Sequence, residues 1–189
     1  MSAENPADEI IVFRACLKRR AGDLSGEGAS IYGGRWNKKG QAVVYTSDSR
    51  ALALLEMRVH YPAIPIEVAV MMVLRLRPGS IIQTIPISAL PEGWNTYGEE
   101  GIELCQSSGS DWFNYRVADV LMVPSAVLPT QSNYIVRADA GVLTQIEVEP
   151  LELDPRLWPN PTGVERRQGP EKILQLLRVL TEPNPGIKG

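Results

Sequence analysis

The chain has 189 residues, 44% of them hydrophobic and 22% charged, which is ordinary globular composition and enough length for one domain with a real core. Its net charge of -3 and pI near 5.3 argue against a broad nucleic-acid surface, which needs a basic face. Two distant cysteines, Cys16 and Cys105, and a single histidine, His60, form no metal-spaced set, so no metal site is expected.

The opening run Met1-Ser-Ala-Glu-Asn-Pro-Ala-Asp-Glu9 is polar and acidic, unlike a signal peptide. No apolar run reaches the ~20 residues of a membrane helix. A cytoplasmic protein with reduced thiols is expected. Ile10 to Ala15 reads as a short strand delivering Arg14 to its end. Residues 18–34 carry five glycines and read as loop, with Gly33-Gly34 allowing positive φ or a close backbone approach. Gln41 to Thr46 reads as a buried strand. A helix then starts near Ser47 or Asp48, with Leu52, Leu55, Glu56 and Val59 on one stripe.

Residues 65–76 form the longest strand candidate, and Ile81 to Ile87 a short strand or turn-rich connection. Ser88 to Ser110 is rich in glycine and reads as irregular, with a helix capped at Ser110-Asp111 and running through Trp112, Phe113 and Arg116. Val120 to Val123, Asn133 to Val136 and Val142 to Glu149 read as strands. Residues 1–159 form the main domain; 160–189 are a linker and an amphipathic helix from Pro170 to Leu180. Short strands with few helices predict an α+β domain around a mixed sheet.

Glu56 is a carboxylate on an apolar stripe, so it is neutralised, paired or facing a cleft. A structural ion pair with Arg14 or Arg35 explains it as readily as catalysis does. Arg35, after two glycines, suits bidentate contact with phosphate or carboxylate. Lys38 and Lys39 read as an exposed turn. Tyr45 is either core or a ring offered to a planar ligand. Ser125 follows Val-Pro at a strand end but has no nucleophile elbow around it, and His60 reads as a helix-end residue, so a Ser-His-Asp hydrolase is not expected. Neither a phosphate-cradling Gly-x-x-x-x-Gly-Lys-Ser/Thr loop nor a dinucleotide Gly-x-Gly-x-x-Gly turn is present.

Phe13-Arg14, Gly33-Gly34-Arg35-Trp36-Asn37-x-x-Gly40, Val44-Tyr45-Thr46 and Ala53-Leu54-Leu55-Glu56 together resemble the RES-domain family. The likeness continues through Trp112, Val123-Pro124-Ser125-Ala126-Val127, Asn133-Tyr134 and Asp154-Pro155-Arg156-Leu157, so it spans roughly residues 11–157. The resemblance implies a split mixed sheet similar to that of ADP-ribosyltransferases. It also implies the toxin of a bacterial toxin–antitoxin pair that consumes NAD as substrate, with no resident cofactor. Family members break the nicotinamide–ribose bond and pass ADP-ribose to water, to inorganic phosphate or to a protein, and the usual partner is an Xre-like antitoxin that itself binds DNA. This chain departs from the family where Asn133-Tyr134-Ile135-Val136 runs into Arg137-Ala138-Asp139-Ala140 and not into Asn-Pro-x-His.

Carried over residue by residue, the family positions are Arg14, Arg35, Tyr45, Glu56 and Ser125. Glu56 would stabilise the oxocarbenium character that develops on the ribose. Arg14 and Arg35 would grip the pyrophosphate, Tyr45 would orient the nicotinamide, and Ser125 would hydrogen-bond the nicotinamide or its ribose. The rival is a non-catalytic module using the same arginines to bind a nucleotide. The Pro170 to Leu180 helix is either a homodimer or antitoxin contact, or packs back on its own domain.

Overall fold

The computed structural model describes residues 9–62, 64–154 and 158, and the amphipathic helix expected from Pro170 lies outside them. The chain divides into two compact units, Met1–Glu152 and Leu153–Gly189, and every element below belongs to the first. Its strands are β1 (Ile10–Leu17), β2 (Val43–Ser47), β3 (Ala69–Leu76), β4 (Ile82–Thr84), β5 (Val120–Pro124), β6 (Ser132–Arg137) and β7 (Leu143–Pro150). The α-helices among the described residues are α1 (Glu27–Tyr32), α2 (Arg50–His60) and α3 (Glu99–Tyr115).

The sheet order is β4-β5-β6-β2-β1-β3-β7, with β4 parallel to β5 and the other pairs antiparallel. This is the mixed, split sheet of an α+β domain. β1 and β3 pair from Ile10↔Leu76 to Leu17↔Ala69, and β2 and β6 from Val43↔Arg137 to Ser47↔Asn133. Between these two ladders, β1 and β2 share only the pair Phe13↔Ser47. The split is therefore a seam, and Ser47 stands on it.

Strand alternation sorts the core onto two faces. Val12, Val70, Met72 and Leu74 from one side of the seam cluster with Val120 and Val136 from the other. Their neighbours Leu121, Val123 and Ile135 point the opposite way, joining Trp36, Trp94, Cys105 and Trp112 around α3. β3 is buried almost throughout because it lies between β1 and β7, which explains its near-continuous apolar run.

Several expectations need correcting. Arg14 sits within β1, opposite Met72, and not at its end. The glycine-rich stretch before residue 34 contains α1. The cap of α2 is Ser49, whose side chain accepts from the Leu52 amide. The buried stripe of α2 is Leu52, Ala53 and Met57, while Leu55 is 43% exposed.

The largest difference is α3. It runs unbroken over 17 residues through Gly101 and Gly109, where the sequence reads as irregular. Both glycines are there for contact. A Cβ on Gly109 would lie 2.0 Å from the Trp36 carbonyl oxygen, and one on Gly101 would lie 2.3 Å from that of Thr96. Helix propensity disfavours glycine by only about 1 kcal/mol, less than packing a backbone against the helix can recover.

Candidate active site

The loop after α1 is a tight turn closed by a Gly34↔Asn37 bridge. Gly33 supplies the positive φ of 73° that ends α1, and Gly34 supplies clearance, since a Cβ there would meet the Tyr45 hydroxyl at 2.6 Å. Asn37 is fully buried and donates to the carbonyls of Ala29 and Gln41. Gln106 of α3 donates to the carbonyls of Gly34 and Asn37, fixing the turn against the helix.

Tyr45 is partly exposed, but its hydroxyl end is enclosed. The hydroxyl accepts from the Trp36 amide at 3.1 Å and donates to the Asn37 Oδ1 at 2.8 Å. Burial raises its pKa far above the usual tyrosine range, so it stays a neutral phenol. Tyr45→Phe keeps the ring but orphans both partners, so we expect a stability loss of roughly 1–3 kcal/mol, readable in a denaturant melt.

Arg35 directs its guanidinium at the carbonyls of Trp94 and of Thr96, the latter at 3.0 Å. Part of its donor set thus ties the turn to the approach of α3, and the residue remains partly exposed. Both the Arg35 cation and the Glu56 anion act on the Tyr45 phenol, one lowering and the other raising its pKa. In geometry, the Tyr45 hydroxyl bonds the amide next to Arg35, and Glu56 bonds Asn133, which pairs with Ser47 two residues on from Tyr45. Arg14 has other partners: its guanidinium donates to the Asp23 carbonyl at 2.7 Å, and its charge acts on Asp23 and Cys16.

Glu56 rides on α2 with its side chain 18% exposed. Oε1 accepts from the Ser125 hydroxyl at 2.8 Å and from the Asn133 amide nitrogen at 2.6 Å. Oε2 faces the His60 Nε2 at 3.4 Å, one helical turn on, and His60 is 58% exposed. Burial pushes the Glu56 carboxyl up, yet the hydrogen bonds from His60, Asn133 and Ser125, with the His60 charge, together outweigh it and hold the pKa below the ordinary glutamate value. The site offers an ionised carboxylate, held at Oε1 by Ser125 and Asn133 and paired at Oε2 with a histidine that is itself exposed.

Ser125 stands behind that carboxylate. It is fully buried; its hydroxyl donates to Glu56 and accepts from the amides of Val127 and Leu128 at 3.0 and 2.9 Å. One donor and two acceptor positions are all a hydroxyl has, so its capacity is filled within the protein. Reading the sequence for single residues missed Asn133 as the second partner of Glu56. The available signal was an amide directly before the apolar run Tyr134-Ile135-Val136. Lys38 and Lys39 are exposed, as expected.

A cavity of about 450 Å³ is lined by Glu92, Gly93, Thr96, Glu100, Glu103 and Leu104, and so adjoins Arg35 through Thr96. Its three carboxylates make it a poor seat for a pyrophosphate. No helix among the described residues is long and apolar enough to cross a membrane.

Comparison with known proteins places the chain in a family. The chain is 34% identical over 143 residues to the Prs ADP-ribosylating toxin of Sphingobium sp. (strain YBL2), covering 72% of this chain and 88% of that protein. It is 32% identical over 139 residues to Toxin Res of Pseudomonas putida (strain KT2440), covering 72% and 93% respectively. Among solved structures, the M. tuberculosis MbcT–MbcA toxin–antitoxin complex contains a chain that matches with a TM-score of 0.63 at 21% identity, covering 79% of this chain and 87% of that one, which speaks for the fold. A model of the RES domain matches residues 11–156. With more than two thirds of its length matched, ordered motifs from Arg14 to Asn133 and a split mixed sheet, the chain belongs to the RES domain family.

Proposed function

We propose that this protein is the toxin of a bacterial toxin–antitoxin pair and that it consumes NAD by cleaving the nicotinamide–ribose bond. The observation that carries this reading is Glu56: ionised, held at Oε1 by Ser125 and Asn133, and facing at Oε2 the exposed side chain of His60. Breaking that bond leaves electron deficiency on the ribose C1′ and ring oxygen, and an anion close to the sugar stabilises it. The bonding pair leaves with the nicotinamide nitrogen, which goes from cationic to neutral. Nicotinamide therefore needs no proton, and a site without a buried histidine acid suffices. Water then bonds to C1′ and releases a proton; inorganic phosphate would instead give ADP-ribose 1″-phosphate.

In this reading Arg35 meets the pyrophosphate with the donors left over from Trp94 and Thr96, and Tyr45 offers the exposed part of its ring to the nicotinamide end. Arg14, with one donor on the Asp23 carbonyl, would add its remaining donors to the pyrophosphate. Ser125 acts through Glu56. The partner would be an Xre-like antitoxin covering the cleft.

A second acceptor has its own support: the Sphingobium relative is named an ADP-ribosylating toxin, which favours transfer of ADP-ribose to a protein. The test is to incubate the purified chain with NAD, with and without phosphate and candidate protein acceptors. Free nicotinamide is expected. ADP-ribose marks water as acceptor, the 1″-phosphate marks phosphate, and label on protein marks transfer. NAD bound but intact under every condition would overturn the enzymatic reading in favour of a binding module.

A further inference from the structure

Glu56 is held asymmetrically, and the asymmetry begins at the seam of the sheet. Ser47 is buried and takes part in two ladders at once, pairing Phe13 across the seam and Asn133 on β6. Its hydroxyl donates to the Asn133 Oδ1 at 2.8 Å. The Asn133 Nδ2 then donates to Glu56 Oε1 at 2.6 Å. The direction of this chain is fixed from the far end. An ionised carboxylate can only accept, so the amide nitrogen must face Glu56, the amide oxygen must face Ser47, and Ser47 must donate.

The frame around the chain is laced residue by residue. Next to the Ser47–Asn133 rung, the Asp48 amide donates to the Ser132 carbonyl at 3.0 Å, and the Ser132 amide donates to Asp48 Oδ2 at 2.8 Å. Beyond it, the Ser49 hydroxyl donates to Gln131 Oε1 at 3.2 Å. These three successive rungs tie the start of β6 to the junction where β2 turns into α2. Glu56 lies about two helical turns from that junction. The strand bearing Asn133 and the helix bearing Glu56 are thus held as one piece.

Resting on the NAD-cleaving reading above, we propose that Asn133, oriented by Ser47, is a positioning residue that commits Oε1 of Glu56 to the protein and so leaves Oε2 as the oxygen that works on the ribose. Buried Ser125 and half-buried Asn133 both donate to Oε1, while among the described residues Oε2 meets the exposed His60. Ser125 alone would fix one point of the carboxylate and leave its plane free to turn. The second donor sets the plane, and a group set in advance loses no orientation as charge develops on the sugar.

The test is a double-mutant cycle on the full chain, read as kcat and KM for nicotinamide release from NAD. Asn133→Ala is expected to lower kcat by roughly 10- to 100-fold, the size of a lost charge-assisted hydrogen bond, with KM within about two-fold of wild type. Ser47→Ala, acting through Asn133, should lower kcat by about three- to ten-fold. The double variant should match Asn133→Ala within about two-fold, because the second deletion removes nothing more. Asn133→Leu keeps nearly the shape with neither donor nor charge and should lower kcat as Asn133→Ala does, so the test survives if the alanine variant fails to fold.

Unchanged kcat, losses confined to KM, or losses that multiply in the double variant would overturn the proposal. A wild type that releases no nicotinamide would instead overturn the NAD reading. In that event carbon-13 NMR titration of the Glu56 carboxyl still reads the chain. Its midpoint should rise in Asn133→Ala, rise less in Ser47→Ala, and rise no further in the double variant. An unmoved midpoint would sink the wiring itself.

Discussion

Glu56→Gln is expected to leave a folded protein that consumes NAD at least ~100- to 1000-fold more slowly, the usual loss when a group matched to transition-state charge is removed. Glutamine is nearly isosteric, and its carbonyl oxygen can take the place of Oε1 as acceptor from Ser125 and Asn133. Its amide nitrogen would then face His60. What disappears is the negative charge beside the sugar. Nicotinamide release measured beside a circular-dichroism melt separates the two effects, and wild-type turnover in this variant would end the proposed mechanism.

The same substitution has a pH signature. Because its surroundings hold the Glu56 carboxyl below its ordinary value near 4.5, the ionised group favours the folded state. That contribution is fully present above the ordinary value and is lost as pH falls through the depressed one. Stability measured from pH 6 down to 3 should therefore fall less steeply in Glu56→Gln than in wild type. An identical slope would mean that Glu56 is not held as described.

Gly109→Ala should be the most damaging single methyl group added to the fold. The new Cβ would lie 2.0, 2.7 and 2.9 Å from the Trp36 carbonyl oxygen, carbonyl carbon and Cα, all of them backbone atoms that cannot swing aside. Either α3 or the Arg35–Trp36 turn must move, so a loss of roughly 2–4 kcal/mol is expected, or about 5–15 °C in Tm. Movement of the turn also shifts Arg35 and the Tyr45–Asn37 pair, so residual NAD consumption should fall as well. Gly28→Ala is the control: it lies in α1 with nothing within 4 Å, and should be neutral or stabilising by up to ~1 kcal/mol. A wild-type melt for Gly109→Ala would refute the packing account.

The sequence by itself determined a good deal. Its strands were visible because alternation and apolar runs are local patterns: β3 lies within the stretch those patterns mark, and β1, β2, β5, β6 and β7 each overlap theirs and run one or two residues past it. The run from Gly33 to Glu56 pointed to chemistry because a carboxylate on a buried stripe and an arginine after two glycines are unfavourable unless something compensates them. The ordered motifs gave the family, and with it the split sheet.

Tertiary structure alone decided the rest. Gly101 and Gly109 read locally as breaks in a helix, and only the backbone of the 35–36 turn and of Thr96 lying against them explains an unbroken α3. Ser125 reads as a hydroxyl at a strand end. That it stands behind Glu56 depends on the amides of Val127 and Leu128 folding over it. Asn133 is 77 residues from Glu56 in sequence, and only the β2–β6 register, with Ser47 opposite Asn133 on the seam, brings the two within hydrogen-bonding reach. Local preference acts over a few residues and could name the carboxylate; which of its oxygens is tied down is set by partners that only the closed sheet delivers.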